Sequence, residues 1–185
     1  MKSVIIFGSQ YGSAKQYAEA MSKKLNIDCF DYRKMKSDKK YDVILYVGSL
    51  YAGGVLGLLE TLKRYSANDL KKILIITVGI ADPNDIENIE NIKNSIYKQL
   101  PRHLNNNIEL FHVRGSLDYS KLNLKHKTMM KLLYHFSKKL PIEEQSEETK
   151  TFIATYNQTV DFVDFNSLEC VIERYLQLIK ENNLW

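Results

Sequence analysis

The chain has 185 residues, 44% hydrophobic and 26% charged, with 26 basic against 22 acidic side chains and a formal net charge of +4. That length predicts one domain, spanning 1–185, with a buried core, and the composition excludes collagen, coiled coil and disorder over most of it. No apolar run approaches the ~20 residues a membrane-spanning helix needs, and the apolar stretch within Met1 to Phe7 is too short for a signal peptide, so the expectation is an uncleaved cytosolic chain.

The opening alternates strand and helix. Val4-Ile5-Ile6-Phe7 is a continuous apolar run ended by Gly8, which suits a strand buried on both faces of a parallel sheet. Ala14, Ala18, Met21 and Leu25 then recur at helical spacing, with Lys15, Glu19 and Lys23 on the other side. Ile27 to Phe30 predicts a second strand, Val43 to Val47 a third, and Val55 to Tyr65 a helix. Ile73 to Val78 predicts a fourth strand ended by Gly79. Asp82-Pro83 suits the start of a helix with Ile86, Ile89, Ile92, Ile96 and Leu100 as its stripe. Ile108 to Val113 predicts a fifth strand, and Leu168, Val171, Ile172, Tyr175, Leu176 and Ile179 mark a last helix. Phe152 to Tyr156 reads as a small extra strand or an ordered loop. Alternation of this kind means a doubly wound parallel sheet. Its ligands bind beyond the carboxyl ends of the strands, where strand order reverses.

Three loops lie at that edge. Gly8-Ser9-Gln10-Tyr11-Gly12-Ser13-Ala14 offers hydroxyls, flexible backbone and the free amides of a helix start, which suit a phosphate monoester. An ordinary strand-to-helix turn with a serine cap accounts for the same residues equally well. Ser49-Leu50-Tyr51-Ala52-Gly53 puts an aromatic ring beside glycines that let backbone approach a flat ligand, or is a turn with a surface tyrosine. Gly79-Ile80-Ala81 is small and partly apolar.

Cys29 and Cys170 lie far apart and suit buried small hydrophobes rather than a disulfide framework. The four histidines show no ligand spacing, so no metal site is expected. Lys121 to Lys139 holds six lysines and no acidic residue. Met129, Leu133, Phe136 and Leu140 line one helical face there, widened by Met130, Leu132 and Tyr134. Three readings fit this segment: a helix docked on the sheet, a surface helix meeting lipid and a quinone, or a lid over a pocket for an acidic tetrapyrrole.

The run Ile5 to Ala14, followed by Ala18, resembles the phosphate-loop signature of flavodoxins. The resemblance implies a flavodoxin-like doubly wound five-stranded parallel sheet, order 2-1-3-4-5, with a helical insertion at about 116–150 before the last helix. It implies flavin mononucleotide (FMN), with Ser9, Gln10, Tyr11, Gly12, Ser13 and Ala14 at the phosphate. Ser49, Leu50, Tyr51, Ala52 and Gly53 would stand on one side of the ring, with Gly79, Ile80 and Ala81 on the other. The family usually has threonine where this chain has Ala14, so one phosphate hydroxyl is missing.

Arg114 to Tyr119 and the basic segment after it are similar to the flavodoxin-like menaquinone-dependent protoporphyrinogen dehydrogenases. That likeness implies an oxidoreductase acting on protoporphyrinogen or a related organic substrate, with a quinone acceptor. The alternative is a flavodoxin-type electron carrier with a protein donor or acceptor and no substrate of its own. No catalytic residue is assigned. The expected surroundings are the cytoplasm, with peripheral membrane contact through 121–140 and self-association both left open. Nucleic acid is not an expected partner, since aromatic residues are sparse in the basic stretch.

Overall fold

A computed structural model describes residues 1–35, 40–51, 53–66 and 70–182. Its central sheet contains β1 (Ser3–Gly8), β2 (Cys29–Asp31), β3 (Val43–Tyr51), β4 (Gly54–Val55), β5 (Lys72–Gly79) and β6 (Ile108–Arg114). The order is β2-β1-β3-β5-β6, with all these neighbours parallel, and β4 folds back antiparallel on β3. Setting the short β4 aside, this is the expected 2-1-3-4-5 order.

Helices cover both faces. Alternate residues of a strand point to opposite sides, so each apolar run supplies two cores. Ile5, Phe7, Leu45, Val47, Leu74 and Ile76 pack with α1 (Ser13–Leu25) and α6 (Glu169–Asn182). Val4, Ile6, Ile44, Tyr46, Ile73 and Ile75 pack with α2 (Leu58–Leu62) and α3 (Ile86–Gln99). This is why the strands read as unbroken hydrophobic runs rather than as alternation.

After β6 the chain leaves the sheet. β7 (Ser116–Asp118) pairs antiparallel with β8 (Thr159–Asp161), and between them lie α4 (Leu124–Ser137) and α5 (Glu147–Thr155). Leu117, Tyr119 and Leu122 form a small separate core with Met130, Tyr156 and Val160 against it. Tyr134 of α4 stacks on Tyr156, with ring centroids 4.0 Å apart.

Several expected boundaries move for local reasons. Ile27 belongs to the α1 cap, since Asn26 turns left-handed and the Ile27 amide bonds Ser22, so β2 starts later. Of the helix expected over Val55 to Tyr65, Leu58–Leu62 is helical, and its start is delayed because Val55 belongs to β4, which folds back on β3. The α3 start is Asp85, whose carboxylate accepts the Asn88 amide at 2.6 Å, leaving Ile86 79% exposed and off the stripe. Phe152 to Tyr156 is neither strand nor loop. It ends α5, which Ser146 caps through the Thr149 amide. Cys170 is exposed rather than buried, while Cys29 is half-buried.

Met129, Leu133, Phe136 and Leu140, the last of them past the end of α4, are 40–61% exposed, and the more buried row of the helix is His126, Met130, Tyr134 and Ser137; Met129 and Leu133 nonetheless border the cavity described below. No helix of the described residues is long and apolar enough to cross a membrane.

One ion cluster ties the sheet edge to α6. Glu109 of β6 accepts two hydrogen bonds from Arg174, both 2.8 Å, and one ion pair from Lys72 at 2.7 Å. The Arg174 guanidinium above all, and then Lys72, holds the Glu109 carboxyl down at about 2. In the unfolded chain it returns to ~4.3. The cluster's contribution is therefore complete above about pH 5 and is lost as the pH falls toward 2. Glu109→Gln is expected to lower stability by about 1 kcal/mol, or ~2–4 °C in melting temperature, at pH 7. Thermal melts of the two proteins should converge near pH 2, and a difference that persists unchanged there would sink this assignment.

Candidate functional site

The first loop closes on itself and on its neighbour. Gly12 takes φ +105°, which a side chain rarely tolerates, and its amide donates to Ser9 Oγ at 3.1 Å. The Gln10 amide donates to Ser49 Oγ at 3.3 Å, joining the first loop to the second. No side chain caps α1, so the alternative of an ordinary turn with a serine cap does not describe this loop. The first bond of the helix runs from the Gln16 amide to the Gly12 carbonyl, leaving the amides of Ser13, Ala14 and Lys15 ahead of it. A helix start of this kind attracts an anion.

Two loop side chains turn away from that concavity. Ser13 Oγ accepts the Ser116 amide and shares a hydrogen bond with Ser116 Oγ, both 2.9 Å. Ala14 is fully buried in the core between α1 and the sheet, so only its amide remains for the loop. Gly115 permits the Ser13 contact: a Cβ there would lie 2.8 Å from Val78 Cγ1 and 3.2 Å from Ser13 Cβ.

The second and third loops are braced from outside. Ser95 and Gln99 of α3 both donate to the Gly53 carbonyl. Ala52 lies outside the described residues. The Gly79 carbonyl accepts the Gly115 amide at 2.6 Å, and the Ile80 carbonyl accepts Arg114 Nε at 2.9 Å. The Arg114 guanidinium sits 3.6 Å from the centre of the Phe162 ring, a cation–π contact.

His126 of α4 bridges two loops. Its Nε2 lies 3.3 Å from the Tyr51 hydroxyl, and its ring meets Tyr11 edge-on with centroids 5.9 Å apart. Burial, and after it the nearby Tyr51, raises the Tyr11 phenol above its ordinary pKa.

These elements enclose a cavity of about 580 Å³, a size within the ~300–1,000 Å³ of small-molecule sites. Of the residues singled out in the sequence, Tyr11, Ser13, Ser49, Leu50, Tyr51, Gly53, Gly79, Ile80 and Ala81 line it. Ser9, Gln10, Gly12 and Ala14 do not; they stay in the loop at the α1 start. Sequence reasoning did not assign Val78, Gly115, Ser116 and Leu117 to the wall, nor the roof of Met129, Met130, Leu133, Ser137, Glu148, Thr149, Thr151 and Phe152. The glycine pair of residues, Gly79 and Gly115, was the available signal for the wall. For the roof, the reading of the amphipathic 121–140 segment as a lid pointed to Met129, Met130 and Leu133, while the α5 residues had no signal, because their place depends on how α5 folds back.

The model of the flavodoxin domain family matches residues 4–141. The chain belongs to that family. Solved structures similar to it include a flavodoxin from the domain Archaea, at 13% identity and TM-score 0.37, covering 83% of this chain and 95% of that one. Oxidised flavodoxin 2 from Bacillus cereus is 12% identical at TM-score 0.39, covering 83% and 94%. A flavodoxin mutant from Pseudomonas aeruginosa is 15% identical at TM-score 0.36, covering 74% and 96%. Among curated proteins none matches this chain.

Both ends of the roof are pinned by one hydroxyl. Tyr17 of α1, fully buried, donates to the Arg114 carbonyl at 2.7 Å and accepts the Asp164 amide at 2.9 Å. Tyr17→Phe leaves both backbone groups unpaired, at an expected cost of roughly 1–3 kcal/mol. Urea unfolding measures that loss, and hydrogen exchange should show the Asp164 amide less protected. Unaltered protection there would refute the clamp.

Proposed function

We propose that this chain binds FMN and uses it to oxidise or reduce an organic substrate. The observation that carries this reading is the meeting of the loops after β1, β3 and β5 on one cavity, roofed by α4 and α5. That edge is where a doubly wound sheet takes its ligand. The residues present fit the group. The loop from Ser9 to Ala14 contains no charged side chain and opens on the amides of a helix start, which suits a phosphate monoester. The cavity above it is mainly apolar, which suits a flat ring, with Leu50 and Tyr51 toward one side and Gly79, Ile80 and Ala81 toward the other.

When bound, flavin supplies the hydride or electron exchange, and the protein supplies position and surroundings. Met129, Met130, Leu133 and Phe152 keep water from the roof side. His126 holds Tyr51. Ala14 turns its methyl into the core and offers the loop its amide alone, and the hydroxyl usual at this position would add at most the ~0.5–1.5 kcal/mol of one neutral hydrogen bond. Protoporphyrinogen oxidation with a quinone acceptor is the finer form of this reading, supported by the place of the excursion between β6 and α6.

Purified protein saturated with FMN is expected to retain it at one per chain, with a shifted visible spectrum. Tyr51→Ala should weaken binding about fivefold or more, as loss of a ring contact worth ~1 kcal/mol requires. A protein that retains no FMN would leave a phosphate-binding or scaffold role instead.

The outer face of α4 and the segments flanking it support a lipid contact in the same protein. Leu124, Leu132, Phe136 and Ile142 are 58–81% exposed, and the six lysines from Lys121 to Lys139 are exposed with no acid among them. Exposed apolar side chains beside lysines bind anionic interfaces. The protein should sediment with phosphatidylserine-containing vesicles but not with phosphatidylcholine alone. The pair Leu132→Ser and Phe136→Ser should release it, and absence of binding at low salt would end this part of the reading.

A further inference from the structure

The charge of the cavity is opposite to the charge of the segment that roofs it. The lysines of α4 all lie outside, and Glu148 of α5 is the one charged residue on the cavity wall among the described residues. It stands where the cavity meets two smaller depressions, one bordered by Asn91 and Ser95, the other by Thr77, Asn88 and His112.

Glu147 and Glu148 both occupy the first turn of α5, where carboxylates complement the helix dipole. They differ in their partners. Glu147 pairs with Lys150 at 2.6 Å, while Glu148 makes no ion pair or hydrogen bond among the described residues. Asn88 adds a second acceptor. Its side-chain amide donates to the Asp82 carbonyl at 3.2 Å, which fixes its orientation, and its Oδ1 is buried without a partner. Asn88 is 4% exposed. The exposed Glu148 carboxylate and the buried, unpaired Asn88 carbonyl meet at the second of these depressions rather than on the main cavity wall, and an apolar site with a few such groups beside it selects by them.

We infer that Glu148 is the specificity-determining residue of the cavity, and that the group it takes is a cation or an N–H-bearing ring rather than a carboxylate. The inference rests on the cavity's being the substrate site of a flavin protein. Carboxylates of a ligand belong outside it, on the α4 lysines.

The test uses two probes with one bicyclic ring and opposite charge, 2-naphthylmethylammonium and 2-naphthoate. Binding to the full chain, FMN-loaded where FMN is retained, is measured by calorimetry. Wild type should bind the ammonium at least about tenfold more tightly than the carboxylate. Glu148→Gln should bring the two within about twofold, while Glu147→Gln, in the same helix turn, leaves the preference intact. Equal binding, preference for the carboxylate, no binding of either probe, or an equal effect of both variants overturns the inference. Discrimination without FMN retention removes the flavin reading and leaves Glu148 its role. FMN retention without discrimination does the reverse.

Discussion

The Tyr17 hydroxyl is the point on which the rest of the site depends. The chain leaves the sheet after Arg114 and enters the approach to α6 at Asp164, and both positions bond to this one buried oxygen. Everything that roofs the cavity lies between them. An excursion of that length has a large conformational entropy, and its own core is small, with three buried hydrophobic residues. Fixing both ends to α1 limits where α4 and α5 can settle. It also sets Gly115 and Ser116 against Ser13, so the loop at the start of α1 and the stem of the roof share one set of hydrogen bonds.

The same arrangement separates two kinds of surface. The exposed side of α4 is basic and apolar, whereas the cavity behind it is apolar with one carboxylate. A single helix achieves this because its His126, Met130, Tyr134 and Ser137 row faces inward and its lysines face out. The roof therefore does not extend its charge into the space it covers. Net charge says what the molecule meets from a distance, and the wall residues say what fits inside.

His126 shows how the roof reaches the sheet. It touches Tyr11 from the first loop and Tyr51 from the second. Those two tyrosines come from different strands and approach each other only because β1 and β3 are neighbours in the sheet. The histidine thus couples the position of α4 to both loops.

Much of the fold was legible in the residues. The unbroken runs Val4 to Phe7, Val43 to Val47 and Ile73 to Val78 determine buried parallel strands, because two-sided burial leaves no polar face. The glycines after them mark the ligand edge, and nine of the proposed site residues do line the cavity found there. Other features were not legible. Local pattern could not show that Ala14 points into the core, that Ser13 gives its hydroxyl to Ser116, or that Leu132 and Phe136 of α4 stay exposed while Met129 and Leu133 border the cavity. Nor could it show that Phe152 and Glu148 border the same space as Tyr51. Periodicity reports which residues share a side of one element, and the sequence determined those sides by itself. Which element each side meets depends on contacts between distant residues, such as Tyr17 with Asp164, and only the tertiary structure decided them.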